Sequence, residues 1–148
     1  MEDQYYAEDH KIIEQIREAM RSADTYKVDE AIDLLYISDR IAPFIDLIND
    51  LLLFPHHHRH QEITRLIQQA QSASSIEFIR KALLTNFDYL QYTCSDDGPI
   101  AKWFSHALFD IGTEEAINVI REFAQSPNEE IRFEMNYRLE KTNQKAGL

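Results

Sequence analysis

Four of the six residues in Pro55-His56-His57-His58-Arg59-His60 are histidines, the densest group of chemistry-capable side chains in the sequence. His56 and His60, or His57 and His60, stand four or three residues apart, the spacing at which two imidazoles share a helix face and can hold a metal ion together. A catalytic zinc site also wants a third ligand and a nearby acid, for which Glu62 is the candidate. Against that chemistry, no HExxH pattern is present, and the cluster sits where a helix starts, a place where imidazoles cap and hydrogen-bond readily. The reading is helix-start packing, with no resident metal and no cofactor.

A second group lies in residues 86–99. Phe87, Tyr89 and Tyr92 stand close to Asp96 and Asp97, and aromatics beside acids make a contact surface for a basic partner. The alternative is internal: Phe87, Leu90 and Tyr92 extend the preceding helix and pack on a neighbour, while Asp96 or Asp97 caps the next helix. A third set, Asp46, Arg80 and Arg121, recurs at one position of successive helices and would form a charged ladder facing a partner, or else a solvated face with weak ion pairs such as Asp46 to Arg80. Trp103, three residues after Ile100, reads as core edge. Cys94 has Asp96 and Asp97 close by, a setting unsuited to a thiolate nucleophile. GxGxxG, GxxxxGK[ST] and GxSxG are all missing, so the sequence points away from an enzyme.

The elements that position these residues are helices. Three glycines and four prolines in 148 residues leave too little punctuation for many hairpin strands, and 44% hydrophobic content is ample for a continuous core. Residues 100–120 carry the plainest signal. Ile100, Phe104, Ala107, Leu108 and Ile111 form one helical stripe; Gly112 can end that helix in a left-handed conformation; Thr113 with Glu114 and Glu115 opens the next, whose stripe begins with Ala116, Ile117 and Ile120. The same hairpin recurs upstream. Val28, Ile63, Phe104 and Met135 occupy one position of the first helices, with Ile32, Ile67, Leu108 and Leu139 four residues later, and Ser38, Ser72 and Thr113 open the second helices. Repeats about 30–40 residues apart fit stacked helix pairs, each burying a face its neighbour covers.

The expected organisation is one all-α domain of about eight helices over residues 1–148: a capping helix about 8–22, pairs about 25–54, 57–86 and 99–125, a last helix about 128–141 and a frayed tail 142–148. Ser38-Asp39 is expected to start the helix that runs to about Leu53, with Pro43 near its first turn or just beyond it. The pattern Ile100-Ala101-x-x-Phe104-x-x-Ala107-Leu108 followed by Asp110-Ile111-Gly112-Thr113-Glu114-Glu115-Ala116-Ile117 resembles HEAT and HEAT-like repeats of the PBS-lyase type. Glu130-Ile131-Arg132-x-x-Met135-x-x-x-Leu139 and Asp39-Arg40-Ile41-Ala42-Pro43 are similar to further repeat segments, so that the resemblance spans about residues 25–141. It implies a right-handed α-solenoid and a binding scaffold. The span from Pro55-His56-His57 to the Gly112 turn also resembles small bacterial HEAT-like proteins of toxin-immunity type.

Formal charge bounds the partner. With 26 acids against 15 bases, the net charge of −11 repels a nucleic-acid backbone and suits a protein partner with a basic surface. No apolar run is long enough to span a bilayer, and the single Cys94 cannot form an internal disulfide, so the expected setting is cytoplasmic and without membrane. The functional reading is a non-catalytic acidic adaptor or inhibitor, with an immunity protein as its sharpest form. A bilin lyase-like or other chaperone-like enzyme on the same scaffold is the alternative that the resemblance implies.

Overall fold

The computed structural model describes residues 2–145, with side chains from Ala7 onward. Eight α-helices appear among these residues, and no strand: α1 Glu2–Ser22, α2 Thr25–Ile32, α3 Ile45–Leu53, α4 His60–Ala70, α5 Ile76–Leu84, α6 Asp97–Ile111, α7 Glu114–Phe123 and α8 Glu129–Lys145. Short 3₁₀ segments cover Asp33–Tyr36, Ala42–Phe44, Ala73–Ser75 and Asp88–Thr93. No helix among the described residues is long and apolar enough to cross a membrane.

Contacts run in two rows. α4 packs on α6 and α6 on α8, while α3 packs on α5 and α5 on α7; α1 closes the amino-terminal end against α2. α6 is the central element, touching α4, α5, α7 and α8, and its breadth of burial follows: Ile100, Ala101, Phe104, Ser105, Ala107, Leu108 and Ile111 are all inside. The aligned first-helix residues Val28, Ile63, Phe104 and Met135 are wholly buried, as are Ile32, Ile67 and Leu108 one turn on. The stripes that define the repeat are thus core positions, whereas Leu139 is only half-buried.

Local signals account for the helix ends. The Thr113 hydroxyl accepts from the Ala116 amide at 3.2 Å, and Gly112 closes α6 with φ +69° and its amide on the Leu108 carbonyl. Gln71 ends α4 in the same left-handed way, and Ser72 caps the following turn at the Ser74 amide. A Cβ at position 112 would meet the Phe109 carbonyl at 3.3 Å. Gly112→Ala should therefore cost about 1 kcal/mol, read as a lower midpoint in urea with an unchanged slope.

Two helix bounds differ from those expected. Ser38-Asp39 does not start a helix; the turn begins at Ala42 and becomes α-helical at Ile45. A helix from Ser38 would place Pro43 beyond its first turn, where the ring clashes with the carbonyl four residues back, so the chain waits until Pro43 can sit in the opening turn. Residues 86–99 are packed in part on the body of the protein, with Phe87 and Leu90 wholly buried. A 3₁₀ segment fills Asp88–Thr93, entered through Asn86 and Phe87 and left through Cys94, all with positive φ, and α6 begins at Asp97 with Gly98-Pro99 inside its first turn. At the carboxyl end α8 continues through Lys145, so residues 142–145 are helical rather than frayed; 146–148 lie outside the described residues.

Candidate functional site

The last turn of α3 leaves backbone carbonyls short of partners, Leu51 keeping only a long bond from the Phe54 amide at 3.3 Å, and Pro55 prevents the helix from continuing. Those carbonyls are enclosed, so something inside the protein must bond them. Three side chains do. His57 Nε2 donates to the Leu51 carbonyl at 2.7 Å, Tyr89 Oη donates to Leu52 at 2.8 Å, and His60 Nε2 donates to Phe54 at 2.7 Å. The histidine cluster and the aromatic segment, separate in sequence, are therefore one assembly around the end of α3. Helix-start packing describes only half of it, because the rings cap the helix behind them rather than the one they open.

The hydrogen bonds fix both tautomers. A carbonyl only accepts, so each Nε2 carries the proton; His57 Nδ1 accepts from the Arg59 amide at 3.1 Å, and His60 Nδ1 accepts from Tyr92 Oη at 2.6 Å. Tyr92 Oη in turn accepts from the His60 amide at 3.0 Å. The two rings stack with centroids 3.7 Å apart. Burial pushes the His57 pKa below its ordinary value. Burial and then the neighbouring His57 lower His60 further, to about 3. Burial likewise raises the Tyr89 and Tyr92 hydroxyls, so both stay protonated donors. Neither inner histidine keeps a free lone pair for a metal, and no group of three His, Cys, Asp or Glu side chains suited to a metal occurs among the described residues.

Outside this core the assembly reaches α2. The His58 amide and Nδ1 bond the two Asp29 carboxylate oxygens at 2.6 and 3.0 Å. Arg59 bonds the Asp29 carbonyl, the Asp33 carboxylate and, through Nε and Nη2, Glu62. Burial opposes the Arg59 charge, but the bonds to Glu62 and Asp33 outweigh it; the Arg59 hydrogen bond in turn holds Glu62 below the usual carboxylate range. Tyr36 Oη also donates to Glu62 at 3.0 Å. Glu62, the acid paired with a hypothetical metal site in the sequence, is thus an anchor for arginine and tyrosine.

What remains outward is a row of rings. Tyr26 meets His58 edge-on with centroids 6.2 Å apart, and His58 lies 5.1 Å from Tyr92. Tyr26 is 79% exposed and Tyr36 51%. Sequence reasoning missed that Tyr26, Tyr36 and His58 share one face; Tyr26 on α2 and Tyr36 just after it carry a signal in their polar surroundings, whereas His58, between α3 and α4, carries none.

The sequence-derived contact residues divide accordingly. Phe87 is wholly buried against Phe104, with ring centroids 5.7 Å apart, and offers no surface to a partner. Tyr89 points inward to Leu52, whereas Tyr92 keeps an exposed edge and Asp96 is exposed. Asp96 occupies the N-cap position of α6 without a side-chain cap bond, and Asp97 accepts from Asn128 at 2.9 Å, joining the starts of α6 and α8. Asp46 and Arg121 are exposed, with Arg121 bonded to Asn118, and Arg80 forms a two-pronged pair with Glu122 at 2.9 Å for both bonds. The ion pair between successive second helices is thus Arg80–Glu122, not Asp46–Arg80. No family model, curated protein or solved structure matches this chain.

Proposed function

We propose that this protein is a non-catalytic binding module: a right-handed solenoid of HEAT-like helix pairs that acts as an acidic adaptor or inhibitor of a protein partner with a basic surface. The observation that carries the reading is the row Tyr26, His58 and Tyr92, whose inner two members are held in place before any partner arrives. Asp29 grips His58 at two points, and His60 grips Tyr92 at two points. Rings already ordered lose little entropy on binding, and such aromatic anchors contribute most of the energy in protein interfaces. Carboxylates of Asp29, Asp33 and Glu62 lie within the same face. The two rows of stacked helices support the solenoid reading.

The test begins with affinity capture from the source cell, followed by kinetics with the purified partner. Tyr26→Ala should speed dissociation about 30-fold or more, corresponding to about 2 kcal/mol, while the thermal midpoint stays within a degree or two because Tyr26 is exposed. Raising salt should slow association more than it speeds dissociation. Unchanged dissociation in Tyr26→Ala would remove this face from the interface.

A further inference from the structure

Between α4 and α6 the local charge is positive. A groove of about 270 Å³ runs between α4 and α6, bounded on α4 from Gln61 to Gln68 and walled by Lys102, Trp103 and His106. Its lining includes Arg65 and contains no acid, in a protein whose net charge is −11. Behind His106 lies Arg138 of α8, only 6% exposed. Its Nη2 donates to His106 Nε2 at 3.0 Å, and its Nε is buried without a partner. The guanidinium otherwise rests on the rings of Phe109 and Tyr137, each 5.5 Å away, which also carry Lys145 and Lys141.

No carboxylate among the described residues pairs with Arg65, Lys102 or Arg138. Asp110, the acid nearest in α6, accepts from Gln68 at 2.7 Å. Burial, then Arg138 and Lys102, lower the His106 pKa, so the ring accepts the Arg138 bond as a neutral group. A buried guanidinium without a counter-ion is costly, and an apolar residue of similar size would serve packing better. Among the described residues Asp110 alone offsets these charges at His106, and its carboxylate is held by Gln68.

We propose that the α4–α6 groove binds an acidic peptide segment of a protein partner, its carboxylates meeting Arg65, Lys102 and His106, with the charge of buried Arg138 behind His106, against the indole of Trp103. The span of α4 from Gln61 to Gln68 is roughly 10 Å, which takes about three residues of extended chain. A nucleic acid would have to run on from the groove over an acidic surface, which disfavours a long polyanion. This site is separate from the tyrosine row, takes the opposite charge, and stands or falls without it.

Trp103 is the single tryptophan, so its fluorescence reports the groove directly. The intact protein is titrated at fixed salt with a blocked tetraglutamate peptide, its tetraglutamine counterpart, inorganic phosphate and a ten-nucleotide oligothymidylate. Tetraglutamate should shift the emission saturably while tetraglutamine does not, and Arg65→Gln with Lys102→Gln should weaken it at least tenfold. Arg138→Met should weaken it several-fold while the thermal midpoint holds or rises, since a merely structural arginine would lower the midpoint and leave binding unchanged. No response to tetraglutamate at millimolar concentration overturns the proposal. So does an equal response to phosphate, which means an adventitious anion site only, or a stronger response to the oligothymidylate, which assigns the groove to nucleic acid.

Discussion

Acidification from pH 7 to pH 4.5 should remove about 3 kcal/mol of stability through His60 alone, and His57 should add to the loss. The folded pKa of His60 is lowered to about 3, against an ordinary value of 6.5. Between those values the unfolded chain binds a proton that the folded chain refuses, so the contribution is fully present above about pH 6.5 and declines as pH falls toward 3. At 1.36 kcal/mol per pH unit the whole window is worth roughly 5 kcal/mol, a large share of a typical 5–15. The structural reason is specific: protonation would put a hydrogen on Nδ1, where His57 faces the Arg59 amide and His60 faces the Tyr92 hydroxyl, and would charge two rings 3.7 Å apart. An opposing effect exists, since acid also relieves the repulsion of a −11 protein. Comparison separates the two. Thermal midpoints of wild type should fall steeply between pH 6.5 and 4.5, whereas His60→Leu, less stable at pH 7, should show a flatter profile. Parallel profiles would mean that His60 titrates alike in both states.

Leu108→Asp should abolish folding. Leu108 is wholly buried on α6, the helix that touches α4, α5, α7 and α8. Substitution forfeits about 2–3 kcal/mol of apolar burial and places a carboxylate where no partner exists, a further several kcal/mol even if the group protonates. Leu108→Ala, which leaves only a cavity, should lose about 2–5 kcal/mol and remain cooperative. A cooperative transition for Leu108→Asp near the wild-type midpoint would show that α6 is not central.

The helices were legible because their signals are local. The stripe through Ile100, Phe104 and Leu108, the left-handed Gly112 and the Thr113 cap depend on residues within a few positions of one another, and the structure has all of them. Pro43 is legible too, but its effect is to set where a helix can begin, and the start lies at Ala42 rather than at Ser38. What sequence spacing could not show was which candidates meet. His57, His60, Tyr89 and Tyr92 are up to 35 residues apart, and their encounter depends on Pro55 stopping α3 and on left-handed turns at Asn86 and Phe87 folding the 3₁₀ segment back over it. Spacings that suit a metal also suit two rings capping one helix end; only the direction of each ring separates the two. Arg138 stands three residues after Met135, yet the stripe through Met135 gives no sign that a charge is buried there without a counter-ion.

His57 and His60 are consumed by the end of α3. Long-range proton–nitrogen correlation spectra of uniformly labelled protein, recorded from pH 7.5 to 5 with and without a molar equivalent of Zn²⁺, report the tautomer and charge of each ring. His60 should remain neutral with the proton on Nε2 throughout, His57 should hold that tautomer at pH 7.5 and titrate below its ordinary value, and zinc should leave the nitrogens of both unmoved. Titration of either ring near 6.5, or a zinc-induced shift at Nδ1 or Nε2 of either, would contradict the account and return the cluster to chemistry.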